Sequence, residues 1–287
     1  MDGNRGQRSK GSDRNPKPMK RFAQAFVFLS LLSIASGGSS QTDPWRRCDE
    51  GLFLAEFRPL QKSQGQDPRI TIVKIDPKFY AFKLLCASEL GRMRLTAKEW
   101  CLKQNLISAI NAGMYQDDGL RSVGYMKNFS HINNPRLNGI HKAVLAFNRT
   151  DGAVPEIQIM DLRCQVFEEI KPKYQTFVQS IRMVSCLQEN VWTKQDQTWS
   201  LAVLGMDKNG NVLFIFSEAP YTVHDFINVL LSLPISLYNA MYLEGGTEAS
   251  LYFSSNGVEL DKGGNNNSGL NIVRAIPNVV GITKKTR

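Results

Sequence analysis

The stretch NAMYLEGGTEASLYF, residues 239–253, decides the fold. An apolar run rises into Glu244. Gly245 and Gly246 follow, then Thr247 and Glu248, and a second apolar run begins. The pattern predicts one strand at 239–243, a tight turn, and another strand at 249–254. A strand that ends on a carboxylate with two glycines behind it can build a site. It can also be an ordinary turn.

Working outward, RITIVKID (69–76) and FYAFKLLC (79–86) alternate apolar and polar residues and predict a strand pair joined at Asp76-Pro77. TAKEWCLKQN (96–105) predicts a short helix, with Thr96 near its cap and Glu99 three residues on. LISAINAGMY (106–115) reads as a buried strand ending in a glycine-containing turn. Further strands are expected at 122–127, 142–147, 156–161, 177–185 and 212–217, the last preceded by an Asn209-Gly210 turn. TVHDFINVLLSL (222–233) is the clearest helix. Val223, Phe226, Ile227, Leu230 and Leu231 share one face, Thr222 and Asp225 fit a capping signature, and Pro234 ends it. DKGGNNNSG (261–269) reads as a polar loop. Many strands, few helices and no internal repeat predict an α+β fold, a single domain around a large mixed β-sheet with a few flanking helices. That domain is expected over 46–287, after a leader at 1–37 and a linker at 38–45.

An apolar content of 42% against 21% charged residues makes the bulk of this 287-residue chain globular. The net charge of +9 sits mostly at the ends. Residues 1–21 hold seven basic residues against two acidic ones, and Lys284, Lys285 and Arg287 close the chain. The body is near neutral, so no nucleic-acid surface is expected. After Lys20-Arg21, FAQAFVFLSLLSIASGGSSQ has the form of a signal peptide, with small residues near Ala35 to Gly37. Its apolar run is shorter than the roughly 20 residues a membrane span needs. An exported protein is expected, periplasmic or extracellular, with membrane contact only through an uncleaved leader. The five cysteines are Cys48, Cys86, Cys101, Cys164 and Cys186. Short loops favour Cys86 with Cys101 and Cys164 with Cys186, leaving Cys48 over. There is no CxxC, and His131, His141 and His224 lie far from any cysteine in sequence, so neither a metal site nor a cofactor is expected.

No standard catalytic signature is present, and the candidate residues carry two readings each. In AINAGMY (109–115), Asn111 offers a donor and acceptors beside Ala112 and Gly113, which permit close backbone approach; a plain strand cap has the same residues. Lys127 and Asn128 in GYMKN (124–128) suit a phosphate, or simply water. Gln179, Ser180 and Arg182 interrupt the apolar VQSIRMVS (178–185), and Arg182 requires a carboxylate or a phosphate. Glu244 suits proton transfer or sugar hydroxyls, or a salt bridge to Arg182. Glu248 is a second carboxylate nearby. His224 begins a helix, where the dipole favours a neutral ring.

Taken together, these segments resemble the phosphodiester glycosidase family. INAGMY and VGYMKN look like the family's Asn-Ala-Gly-Met-Phe segment and the strand after it. VQSIRMV stands in the place of Gln-Ser-Gly-Pro-Met, and MYLEGGTEASLY matches Leu-Asp-Gly-Gly with trailing serines. The resemblance implies one pocket lined by Asn111, Gly113, Lys127, Asn128, Gln179, Ser180, Glu244, Gly245, Gly246 and Ser250. It implies an exported hydrolase that cleaves a sugar–phosphodiester bond in an envelope or exopolysaccharide component. Glu244, Arg182 and Asn111 would be catalytic, with Arg182 and Lys127 on the phosphate. The partner would be a sugar-phosphate or an anionic glycan. Three departures stand out: Glu244 replaces Asp, Ile181-Arg182 replaces Gly-Pro, and Leu201-Ala202 stands where Arg and Asn are common. The rival readings are a non-catalytic anionic-glycan binding module and a structural protein. The last expects Glu244 to be paired with Arg182.

Overall fold

Strand Ile70–Ile75 is buried on both faces, and both of its edges are occupied by strands other than the one expected. In the computed structural model, which describes residues 43–59, 68–265 and 271–286, Leu52–Phe57 pairs one edge and Val212–Tyr221 the other. No edge is left for Tyr80–Cys86. That strand turns into a second sheet and pairs along its length with Asn278–Lys284. The two strands exist as expected, but their pairing does not.

The larger sheet has eleven strands among the described residues. Its centre runs Ile70–Ile75, Val212–Tyr221, Trp199–Asp207, Leu237–Gly245, Tyr174–Val184 and then Met126–Asn128 and His131–Asn134. Ala143–Arg149 and Ile157–Asp161 branch from Tyr174–Val184. The smaller sheet has six, in the order Asn271–Ile272, Val258–Asn265, Ser250–Ser255, Ser108–Asn111, Asn278–Lys284 and Tyr80–Cys86. Every pairing between these strands is antiparallel. The architecture is therefore mostly β, with two packed sheets in place of the one large mixed sheet expected. The α+β expectation holds only in that helices flank the sheets.

Strand alternation explains the layers. Leu204, Phe214, Phe216, Met241 and Leu243 of the larger sheet meet Phe82, Ile110, Leu251, Phe253 and Val280 of the smaller one. Phe82 packs edge-on to Phe214, ring centres 6.5 Å apart. The alternate residues Leu201, Val203, Leu213 and Ile215 face outward onto Phe226, Ile227 and Leu230 of helix Val223–Ser232. Ala109, Tyr252 and Val279 likewise carry Trp100 and Cys101 of helix Ala97–Gln104. Each such buried side chain contributes about 1.5–3 kcal/mol of transfer free energy. Both helices start where the sequence places them. Thr96 and Glu99 close a reciprocal capping box, and Thr222 Oγ1 accepts from the Asp225 N–H at 3.0 Å.

The polar segment expected as a loop at 261–269 is, up to Asn265, part of strand Val258–Asn265. Its glycines hide it: a Cβ on Gly263 would press on the Ile272 carbonyl oxygen at 2.5 Å, so the close approach of the neighbouring chain requires their absence of side chains. Residues 266–270 lie outside the described residues, as do the expected leader at 1–37 and most of the linker. The described residues all belong to one compact unit, Thr42–Arg287. None of their helices is long and apolar enough to cross a membrane.

Cys164 and Cys186 form a disulfide, as their spacing predicts. Cys86 and Cys101 do not pair. Cys86 lies between the sheets, whereas Cys101 lies under the outer face of the smaller one. The Cys164–Cys186 bond spans a sequence separation of 22 residues. Loop-closure entropy for such a loop stabilises the fold by about 3 kcal/mol. The Cys164→Ser/Cys186→Ser variant is expected to lose that amount in denaturant unfolding under oxidising conditions.

Candidate active site

The 239–253 stretch carries the chain from one sheet to the other. Leu237–Gly245 belongs to the larger sheet and Ser250–Ser255 to the smaller, so the turn between them crosses the sandwich. Gly246 supplies the left-handed conformation the crossing needs, at φ +64°. Asn111, at the end of Ser108–Asn111 and almost fully buried, holds the turn down. Its Nδ2 donates to the Glu248 carbonyl at 2.8 Å, and its Oδ1 accepts from the Ser250 N–H at 2.7 Å. Gly264 packs beneath, where a Cβ would overlap the Gly246 carbonyl. Asn111→Ala leaves a buried backbone donor and acceptor unpaired. It is expected to cost about 2–3 kcal/mol in thermal or denaturant unfolding.

Two carboxylates flank this turn in different electrostatic states. Glu244 is half-buried, and its Oε1 accepts from its neighbour's Gly245 N–H at 3.0 Å. Burial, reinforced by the Glu248 charge, outweighs that bond and pushes the Glu244 carboxyl up to about 7. Glu248 is ion-paired with Arg274 at 3.3 Å and accepts from Thr247 Oγ1 at 2.8 Å. Tyr115 lies in the same field. Burial raises its hydroxyl, Glu248 and Glu244 add to the shift, and Arg94 and Arg274 oppose it. The Arg94 guanidinium stands 5.5 Å from the Tyr115 ring centre and is oriented by two bonds to the Ala275 carbonyl. An aromatic wall completes the cluster. Tyr242 packs on Trp192 with ring centres 5.6 Å apart, and a Cβ on Gly245 would overlap the Tyr242 hydroxyl and press on Trp199. The buried Trp199 Nε1–H has no hydrogen-bond partner among the described residues.

Such a cluster can move a proton. A carboxyl poised near neutrality stands beside one held by a guanidinium, which is how a pair of carboxylates divides acid and base work. Two arginines suit a phosphate, and flat aromatic faces suit a sugar ring.

Of the residues singled out in the sequence, Asn111, Glu244, Gly245, Gly246 and Ser250 meet at this turn. Gly113 and Ser180 lie against its base. Gly113 has φ +99°, a Cβ there would stand 3.8 Å from Ser180 Oγ, and that hydroxyl donates to the Tyr242 carbonyl. Gln179 spends its amide elsewhere, accepting from the Tyr125 and Asn138 N–H groups and donating to the Asn138 and His141 carbonyls. Asn128 donates to Glu89 at 2.9 Å, and the Lys127 side chain makes no hydrogen bond or ion pair with the described residues. Arg182 grips Asp161 with Nη1 at 2.8 Å from both carboxylate oxygens. Glu244 is thus not paired with Arg182, and the salt bridge expected of a purely structural turn is absent. Leu201 lies opposite Gly245 and Ala202 opposite Glu244, both buried. The His224 ring lies against its neighbours Asp225 and Asn228, and its carbonyl accepts from Asn190 Nδ2 at 2.9 Å.

The sequence reading missed Arg94, Tyr115, Arg274, Trp192 and Trp199. Tyr115 directly follows the Asn-Ala-Gly-Met segment and was within reach. Arg94 and Arg274 lie in irregular segments with no motif around them, and only the fold brings them to the turn.

Residues 104–283 match the family model described as phosphodiester glycosidase. Among solved structures, the fold is similar to the catalytic domain of zebrafish N-acetylglucosamine-1-phosphodiester alpha-N-acetylglucosaminidase, auto-inhibited by its pro-peptide. That match has 14% identity and a TM-score of 0.58, covering 86% of this chain and 85% of that one. The fold is also similar to a hypothetical protein from Synechocystis, at 13% identity and a TM-score of 0.56, over 85% of this chain and 64% of that one. At these identities the likeness is one of fold. No curated protein matches the sequence.

Proposed function

Because the chain belongs to the phosphodiester glycosidase family, we propose that it is a hydrolase acting on a sugar joined through its anomeric carbon to a phosphodiester. Water adds at the anomeric carbon, the carbon–oxygen bond breaks, and the phosphate leaves as a monoester. Glu244, with a pKa near 7, delivers or accepts the proton. Glu248, held by Arg274, orients the water. Arg94 and Arg274 face the phosphate, and Trp192, Trp199 and Tyr115 wall the sugar. The observation that carries this reading is the raised Glu244 carboxyl on a turn fixed by Asn111. The substrate proposed is an envelope or exopolysaccharide component met outside the cytoplasm. The basic start with its apolar run and the Cys164–Cys186 disulfide support export.

One observation favours a second reading. Leu201 and Ala202 put apolar side chains beside Gly245 and Glu244, where a catalytic pocket of this kind gains from polar ones. A binding module for anionic glycans would keep the cluster without turnover. The test is to incubate the full chain with a panel of sugar-1-phosphate diesters and follow free sugar and phosphomonoester. Release of both in equal amounts supports the hydrolase. Saturable binding with no release supports the binding module. Neither outcome would leave only the fold.

A further inference from the structure

Away from the Glu244 turn, the ends of the two sheets meet at a different cluster. Cys86 closes strand Tyr80–Cys86 of the smaller sheet, and Glu89 follows in the turn after it. His131 opens strand His131–Asn134 at the edge of the larger sheet. The Cys86 Sγ, a Glu89 carboxylate oxygen and a His131 ring nitrogen all lie within 4.8 Å of one another. We propose that these three residues bind a zinc ion, the cysteine entering as thiolate with its proton lost to solvent.

Three observations carry this. First, the donor set of one sulfur, one nitrogen and one carboxylate oxygen is the borderline mixture that zinc prefers. Tetrahedral zinc with bonds of about 2.0–2.3 Å puts its ligand atoms about 3.5 Å apart. A closure of about 1 Å is therefore enough, and the exposed Glu89 side chain can supply its share of it. Second, each of the two outer ligands is already oriented by a neighbour. Ser88 Oγ lies 2.9 Å from His131 Nε2 and is itself fixed by Asn133 Nδ2 at 2.9 Å, so the ring is anchored through one of its two nitrogens. Asn128 Nδ2 donates to Glu89 Oε2 at 2.9 Å, so the carboxylate is anchored through one of its two oxygens. Outer partners of this kind orient metal ligands. Third, the burial is graded: Cys86 fully buried, His131 partly and Glu89 exposed. A cation would therefore approach the buried thiol from the exposed Glu89 side.

The other group of this composition, Asp161 with Cys164 and Cys186, offers no such site. Its sulfurs are tied in the disulfide and its carboxylate is taken by Arg182. The sequence hides the Cys86–Glu89–His131 set because 45 residues separate the cysteine from the histidine.

The test uses the full chain, stripped with a chelator and then titrated with zinc, and in parallel with cobalt(II) as a spectroscopic substitute. The expected result is one ion per chain, a rise in Tm on zinc addition, and a thiolate-to-cobalt charge-transfer band. His131→Ala and Glu89→Gln are each expected to weaken zinc binding by about 100-fold or more, and Asn128→Ala by about 10-fold. Cys86→Ser is expected to abolish the charge-transfer band, while Cys48→Ser and Cys101→Ser keep it. Because Cys86 is a core residue, the His131 and Glu89 variants decide the matter if Cys86→Ser does not fold. No stoichiometric uptake, or uptake unchanged in both His131→Ala and Glu89→Gln, would overturn the proposal.

Discussion

Replacing Arg182 with alanine is expected to lower stability by about 3–5 kcal/mol and to leave the turnover of each folded molecule nearly unchanged. The Arg182 side chain is 18% exposed and that of Asp161 only 4%, so this is a buried ion pair. Asp161 also accepts from the N–H groups of Arg163 at 2.9 Å and Cys186 at 3.0 Å. Burial pushes the Asp161 carboxyl up, but those N–H groups and the guanidinium prevail and hold it below the usual range. Without Arg182, a buried charge remains with too little compensation. Arg182→Met combined with Asp161→Asn removes both charges and is expected to recover most of the loss. The lowered carboxyl also sets a pH dependence. The pair's contribution is present above the ordinary aspartate value of 3.8 and fades as pH falls below it, so the double variant loses less stability in acid. Urea unfolding at two pH values checks both statements. A variant that folds as stably as the parent but has lost turnover would instead place Arg182 on the substrate.

The second large effect belongs to Glu244. Glu244→Gln is expected to reduce sugar release by about 100- to 10,000-fold, the usual worth of a positioned acid–base group. The same change is expected to make the protein more stable above neutrality. The folded carboxyl titrates near 7 against an ordinary value of 4.5. Between those values the native state holds its proton more tightly than the unfolded chain, so wild-type stability falls as pH rises through the window. At about 1.4 kcal/mol per unit, the fall is about 1–3 kcal/mol. Glutamine carries no charge at any pH, so the variant lacks this contribution to the fall. Denaturant unfolding at about pH 5 and pH 8 reads the difference directly. A residue that destabilises its own fold while supporting turnover is what a functional site looks like in energetic terms.

Much of the secondary structure was legible in the sequence because local physics writes it. The Thr96–Glu99 box, the Thr222 cap and the five-residue apolar face of the second helix place both helices within a residue or so of their ends. Strand 239–243 falls inside Leu237–Gly245, and strand 249–254 matches Ser250–Ser255 to within one residue at each end. Pairing was not legible. Ile70–Ile75 and Tyr80–Cys86 are adjacent in sequence and alternate alike, yet they lie in different sheets, since nothing local says which edge is already taken. Val258–Asn265 was invisible because its glycines serve close packing against Ile272 and Gly246, which composition reads as a loop. At the site, the motif residues on the turn were legible and their support was partly so. Asn111 was identified as a polar residue at a strand end, but its task of tying two backbone groups across the sheets emerges only in three dimensions. Arg182 required a carboxylate or a phosphate by sequence, and Asp161 meets that need. The guanidinium groups that stand by Tyr115 and Glu248, Arg94 and Arg274, had no local signature at all.

The central claim, that Glu244 is the proton carrier of a sugar–phosphodiester hydrolase, is tested most directly by the pH dependence of sugar release. The full chain and its Glu244→Gln variant would be compared side by side on whichever diester of the panel is turned over. The account predicts a wild-type rate with a limb titrating near pH 7 and a variant slower by at least about 100-fold without that limb. A Glu244→Gln variant that keeps the parental rate and the parental pH profile would contradict it.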